Sequence, residues 1–369
     1  MKVGYDYFPA VTHAPGLGRY SRELVRALVA LEPEDTDLQL LDLGRGERSI
    51  DGEALGLRAD AKWVHRRRKH FPRRFVNWMD RFLGFGADGW VGGCDLFHHT
   101  APEPLLVEHA IEILPLPDLP EEDSEAHVEL KQRLERIEHV IVFSEHYRGE
   151  VMRRFEWPGD RIHVTPVGCD HWVREFDELP HPTQPPTIVV LGAMRESRFP
   201  HMIRKAFELL LVDRPDSKLV FCGRPGDAAE QFMRDRRFSG ARNSIEWIDQ
   251  PKEADLPGLV GRASTMVHLS RDEGTPVTVL EGLRAGVPVV CSPLPALQEV
   301  LGETALYFEG KKRDAHKLTE ALSQSIESAF DPKARAERIA LATPFSWENC
   351  ARQTLAVWRK IAEFGPGRR

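Results

Sequence analysis

The stretch Asp272-Glu273-Gly274-Thr275-Pro276-Val277-Thr278-Val279-Leu280-Glu281-Gly282 decides how the rest of the chain is read. A short apolar run before it, Thr265-Met266-Val267-His268-Leu269, predicts a strand. After it the helical spacing stops near Gly286, and Val287-Pro288-Val289-Val290 predicts the next strand. Thr275 suits an N-cap, and Pro276 suits the first helical position because its missing N–H has no partner there anyway. The free backbone donors of Val277 and Thr278 then point out of the helix start, where the dipole favours an anion. Glu273 sits just before this start. Glu281 lies about one and a half turns in, on roughly the same side as Val277. Two carboxylates and a phosphate-sized anion site in one segment suit a sugar nucleotide.

Each feature has an ordinary structural reading too. A glutamate ahead of a helix is often only a favourable charge beside the dipole, and one inside a helix is usually solvated. The neighbouring residues narrow the choice. Glu-x7-Glu, with Gly274 after the first glutamate and Glu281-Gly282-Leu283-Arg284-Ala285-Gly286-Val287-Pro288-Val289-Val290 from the second, resembles the nucleotide-sugar segment of retaining GT-B glycosyltransferases, specifically the large family 4. Many members read Glu-Gly-Thr-Pro at its start, as residues 273–276 do. The resemblance implies an α/β chain of two Rossmann-like, doubly wound parallel-sheet domains facing across a cleft, with the donor bound mainly by the second. It implies that Glu273 orients the donor sugar by its hydroxyls and that Glu281 binds the ribose. Gly274, Thr275, Val277 and Thr278 would complete the donor site.

The bulk properties agree with such a chain. At 369 residues it is long enough for two cores, and 41% hydrophobic with 29% charged residues is ordinary for a soluble globular protein. A formal net charge of −7 argues against a nucleic-acid binder held by general electrostatics. No apolar run approaches the ~20 residues of a membrane helix, and the N-terminus enters a strand without a signal peptide. Cys94, Cys169, Cys222, Cys291 and Cys350 are scattered and form no Cys-x-x-Cys pair, which predicts a reducing cytosol with neither disulfides nor zinc.

In the N-terminal half, Lys2 to Phe8 predicts a first strand, and Leu24, Val25, Leu28 and Leu31 follow on a helix. Between them lies Pro15-Gly16-Leu17-Gly18-Arg19-Tyr20. This is not a dinucleotide fingerprint, because Ser21 stands in its third glycine position. It reads equally as a plain turn; in family 4 the matching Gly-x-Gly-Arg-Tyr loop faces the cleft, which implies that Gly16 and Gly18 line the site. Leu38 to Leu43 and Ala61 to Val64 predict further strands. The basic run from Arg66 to Arg74, with Phe75, Trp78, Met79, Phe82 and Leu83 after it at helical spacing, suits either a solvated loop or contact with an anionic membrane surface. Cys94-Asp95-Leu96-Phe97-His98-His99 resembles the family's Asp-apolar-apolar-His strand, whose end opens on the acceptor side, so His98 or His99 is expected to face the acceptor. After Ile111 to Leu116 many relatives carry His-Asp, whereas this chain has Pro117-Asp118. Asp118 is retained on the acceptor side, and the usual imidazole is absent. A helix from about Ser124 to Glu138, the strand Val140 to Glu145 and the Pro166-Val167-Gly168-Cys169-Asp170 piece follow in family order.

His181-Pro182-Thr183-Gln184-Pro185-Pro186 reads as a linker. The expected domains are therefore 1–180, 187–344 and a terminal helix, 345–369, that crosses back to the first domain. Thr187 to Leu191 is a buried parallel strand by its continuous apolar run, and strand-helix units repeat after it. Gly192-Ala193-Met194-Arg195-Glu196-Ser197-Arg198 lies at that strand's end. Relatives place an Arg just after the Gly and a Lys five residues later, to hold the diphosphate. Here Ala193 takes the first place and Arg198 the second, with Arg195 able to supply the other charge.

The function implied is retaining transfer of a sugar from a nucleotide-diphosphate sugar, with GDP or UDP as the expected carrier, to a glycan or lipid-linked acceptor. Cell-envelope or exopolysaccharide synthesis is the family's commonest setting. Glu273 and Arg198 carry the transfer. No Asp-x-Asp pair stands at the end of a predicted strand, so no metal and no cofactor is expected, and the leaving charge falls to Arg198 and helix-start amides. The expected location is cytoplasmic, or peripheral at the inner face of the membrane through Arg66–Arg74. Other readings are a catalytically silent GT-B protein that binds glycan or a partner, a nicotinamide-dependent enzyme, and a phosphorylase or epimerase on the same scaffold.

Overall fold

The computed structural model describes residues 1–11, 16–43, 62–69, 78, 86–100, 104–172, 180–309 and 314–364. They form two α/β units, Met1–Gly168 with Ser346–Arg369 and Cys169–Phe345. The sequence reading ends the first domain at residue 180; the second unit begins at Cys169. The break falls where a glycine is required, because a side chain at Gly168 would overlap the backbone of Trp347. In the second unit Cys169 N–H then donates to the Phe345 carbonyl at 2.9 Å, tying that unit's two ends together.

The first unit holds β1 (Lys2–Asp6), β2 (Asp37–Leu43), β3 (Val64–Lys69), β4 (Leu96–His98), β5 (Ile111–Pro115), β6 (His139–Val142) and β7 (Ile162–Val164). They lie in the order β3-β2-β1-β4-β5-β6-β7, all parallel. The second unit holds β8 (Thr187–Leu191), β9 (Lys218–Cys222), β10 (Ile245–Ile248), β11 (Thr265–His268), β12 (Val289–Cys291) and β13 (Leu306–Tyr307). Their order is β10-β9-β8-β11-β12-β13, again parallel. Each sheet starts at its middle, builds to one edge and returns to build the other. In each, the strand order reverses between two central neighbours: β1 and β4 in the first, β8 and β11 in the second. Ligands of such sheets sit outside the carboxyl ends of the strands at that reversal.

The central strands form because both faces are covered. Ile188, Val267 and Val290 are buried with Phe207 from the helix Pro200–Asp213, Phe232 from Ala229–Phe238 and Leu322 from Ala315–Ala329. Each such side chain contributes about 1.5–3 kcal/mol on burial. The first unit's core includes the terminal helix Trp347–Phe364. Its Trp347 and Trp358 are wholly buried, and Tyr20 on the helix Leu17–Leu31 lies 6.3 Å from Trp347, ring to ring. Among the described residues no helix is long and apolar enough to cross a membrane.

One strand was expected in the wrong place. Ala61 to Val64 read as the strand, whereas β3 starts at Val64 and runs through Arg66, Arg67, Arg68 and Lys69, pairing Leu38 with Val64 through Leu43 with Lys69. The basic run therefore opens as an edge strand, not a loop. Its neighbours decide this: Arg66 pairs at 2.7 Å with Asp42, whose side chain is buried on β2, and Arg67 donates to Gln39 at 3.3 Å. Residues 70–74, and Phe75, Met79, Phe82 and Leu83 of the aromatic stripe, lie outside the described residues. Trp78 is 56% exposed.

Candidate active site

The loop after β8 and the loop after β11 leave adjacent strands of the second unit. After β8, Gly192 has a positive φ of 116°, and Met194 N–H donates to the Arg224 carbonyl at 3.1 Å. A single 3-10 turn, Glu196–Arg198, then ends on Phe199 in the left-handed region at φ 53°, ψ 44°. A bulky residue there costs about 1–2 kcal/mol. Pro200 starts the next helix at once, so Arg198 is fixed between a tight turn and a helix start. After β11, Ser270 N–H donates to Ser292 Oγ at 3.0 Å and Ser270 Oγ to the Asp272 carbonyl at 2.5 Å, which shapes the loop that carries Glu273.

These loops bring Arg198 and Glu273 together. Arg198 Nη2 lies 3.3 Å from Glu273 Oε2. His268, the last residue of β11, joins them, with Nε2 at 2.7 Å from the same oxygen and Nδ1 at 3.1 Å from Arg198 Nη1. Glu273 is 8% exposed. Burial pushes its carboxyl up, but His268 and Arg198 outweigh burial and hold it below the usual carboxylate range. Burial drives the His268 imidazole down, against the pull of Glu273. The site at neutral pH is thus a carboxylate and a guanidinium around a neutral ring.

Glu281 is placed differently. It is 1% exposed, and its Oε1 lies 3.2 Å from His171 Nε2. The helix start also differs from expectation. The N-cap is Pro276, not Thr275, and the helix is Val277–Arg284. Val277 N–H donates to the Thr275 carbonyl at 2.8 Å and is not free, because the chain tightens into a turn before the helix begins. The N–H groups of Thr278 and Val279 carry no hydrogen bond among the described residues, so the anion-binding end shifts by one residue. Gly274 is buried and Thr275 half-buried beside Glu273. Arg195 is exposed, and its side chain joins neither Arg198 nor Glu273.

Residues 174–341 match the family model described as "Glycosyl transferases group 1". That match spans most of the second unit, and there the chain is similar to the group 1 glycosyltransferases. It is 28% identical to O-antigen chain mannosyltransferase B of Escherichia coli, over 98% of this chain and 100% of that one. Among solved structures, Anabaena HepE with UDP-glucose superposes with a TM-score of 0.67 at 12% identity, over 98% of this chain and 100% of that one. Sucrose-phosphate synthase from Thermosynechococcus elongatus gives 0.67 at 16% identity, over 98% of each.

The sequence-predicted residues of the first unit take other places. Gly16 caps the helix Leu17–Leu31 with φ 69° and is exposed, while Gly18 is buried inside the helix start. Neither His98 nor His99 faces solvent. His98 stacks on Tyr5 at 4.9 Å, accepts the Trp358 Nε1–H through Nδ1 at 3.2 Å, and is pushed down to about 3 by burial. His99 Nε2 lies 2.9 Å from Glu112 Oε2, also buried. The expectation that one of them faces the acceptor is therefore corrected: the aromatic residues of β1, the first long helix and the terminal helix absorb His98, and β5 absorbs His99. Asp118 is exposed. The sequence reading missed His268 and His171. Each had a signal: His268 is the lone ionisable residue in an apolar strand, and His171 directly follows the Pro-x-Gly-x-Asp piece.

Proposed function

We propose that the chain is a retaining, metal-independent hexosyltransferase that moves a sugar from a nucleoside-diphosphate carrier to a glycan or lipid-linked acceptor. The observation that carries this is the convergence of Arg198 and Glu273 from the two strands flanking the reversal of strand order. There Glu273 orients the donor sugar through its hydroxyls. Arg198, with Arg195 and the Thr278 N–H, meets the negative charge that grows on the leaving diphosphate. Glu281 reads the ribose. The acceptor hydroxyl gives its proton to the departing phosphate as its oxygen bonds the anomeric carbon on the face the phosphate leaves, so the configuration is kept.

Mannose is supported by the name of the Escherichia coli relative, and so is a cell-envelope polysaccharide as product. Of the two expected carriers, UDP is supported by the UDP-glucose held by Anabaena HepE. The basic strand β3 and the residues up to Arg74 suit peripheral contact with the inner, anionic face of a membrane, and a cytoplasmic location goes with that.

The test is transfer or hydrolysis of GDP- and UDP-sugars in EDTA, with the product anomer read by NMR. Glu273→Ala and Arg198→Ala should each lower turnover by about a hundredfold or more while the fold persists. Near-normal turnover by both would sink the assignment.

A further inference from the structure

His268 ends β11 where a fully covered strand has no packing use for a polar ring. It is 2% exposed, and neither the glutamate spacing nor the basic loop names it. The ring meets its two charged neighbours in different ways. Nε2, at 2.7 Å from Glu273 Oε2, must donate, since a carboxylate only accepts. Arg198 Nη1 lies 3.1 Å from Nδ1 and 3.0 Å from Nε2; nearly equidistant from the two nitrogens, it rests over the face of the ring and on neither in-plane lone pair. The Glu273 contact sets the neutral tautomer, Nε2–H, and the ring face is left to the guanidinium.

The carboxylate is used unevenly. Both His268 Nε2 and Arg198 Nη2 reach Oε2, and Oε1 has no hydrogen bond among the described residues. An arginine that meets a carboxylate unhindered closes on it through two parallel hydrogen bonds. Such a pair satisfies both charges internally and leaves neither for a ligand. Here the ring occupies one guanidinium nitrogen and one carboxylate oxygen and blocks that closure.

We propose that His268 is a positioning residue for sugar transfer, holding Glu273 by Oε2 and Arg198 by Nη1 so that Oε1 and the remaining guanidinium N–H groups stay turned to the donor. This rests on the function proposed above and adds what keeps its two charged groups from closing on each other through two parallel hydrogen bonds. The ring touches no reacting atom. Its effect appears when charge develops on the diphosphate, so it acts on kcat more than on KM.

The test compares His268→Leu and His268→Gln with the wild-type protein. The leucine variant should lose about a hundredfold in kcat, with the donor KM changed less than about threefold. Glutamine, which keeps one donor for Glu273, should recover about tenfold of that loss. Independently of turnover, 15N NMR of the imidazole at pH 7 should show a neutral ring protonated on Nε2. A leucine variant within about threefold of wild-type kcat, or a ring protonated on Nδ1, overturns the proposal. If the leucine variant does not fold, the glutamine kinetics and the ring tautomer decide in the same way. A wild-type protein that uses no sugar nucleotide would sink the proposed function, while the tautomer still tests the geometry.

Discussion

Glu273 and Glu281 come from one short segment, yet their surroundings assign them different work. Glu273 keeps one oxygen open beside a guanidinium, whereas Glu281 is closed in against His171. Glu281 is buried against the His171 ring, so Glu281→Ala should lower stability by about 1–3 kcal/mol in urea unfolding by leaving buried polar atoms without their neighbour. Glu273→Ala should cost far less at pH 7 because its partner Arg198 still reaches solvent. His98 supports a prediction about pH. Its folded value of about 3 lies below the ordinary 6.5, so the unfolded chain binds its proton first, and stability is lost as pH falls from about 6.5 toward 3. Between pH 7 and pH 5 this single group removes about 2 kcal/mol. His98→Phe should flatten that slope, while costing about 1–2 kcal/mol at pH 7 because Trp358 Nε1–H loses its acceptor. Urea unfolding at the two pH values reads both effects; an unchanged slope would mean that the ring titrates normally.

At the scale of elements, β3 shows what a sequence pattern conceals. Its residues carry no apolar alternation, and pairing with β2 alone makes them a strand. Arg66→Ala should cost about 2 kcal/mol by stripping a buried carboxylate of its guanidinium, whereas Arg68→Ala, on an exposed side chain, should stay within about 0.5 kcal/mol. Equal effects would show that the Asp42 pair does not hold the edge. The central strands were legible because burial on both faces writes an unbroken apolar run, as in Thr187 to Leu191. The edge was not legible, because one-sided burial and charge leave no such mark. The site divides the same way. Glu273 and Glu281 stand out by their spacing together with the residues around them, and Arg198 by the resemblance of its loop to that of the family. His268 stands out locally as an ionisable residue in an apolar strand, but its partners Arg198 and Glu273 are brought to it only when β11 lies beside β8. The Thr275 cap failed for a related reason: a turn at Thr275–Val277 competes for the same N–H and wins it.

At the scale of the molecule, each unit has its own core, and the first is completed by the last helix of the chain. Trp347 and Trp358 lie wholly inside it, so ending the chain at Phe345 should unfold the first unit, as seen by hydrogen exchange across β1 to β7. The donor groups Arg198, Glu273 and Glu281 all belong to the second unit. A ligand stabilises what it binds by mass action, about 2.7 kcal/mol at a hundred times its Kd. Saturating UDP or GDP, whichever binds, should therefore slow exchange and raise the unfolding midpoint of the second unit's strands β8, β11 and β12. The amides of β2 and β3, which belong to the other unit, should respond much less. Arg198→Ala should shrink the response, because the diphosphate loses a charged donor, and His268→Leu should leave most of it, because the ring acts on alignment more than on ground-state binding. Protection appearing first in β2 and β3 would move the nucleotide to the other unit and take the role assigned to Arg198 and Glu273 with it.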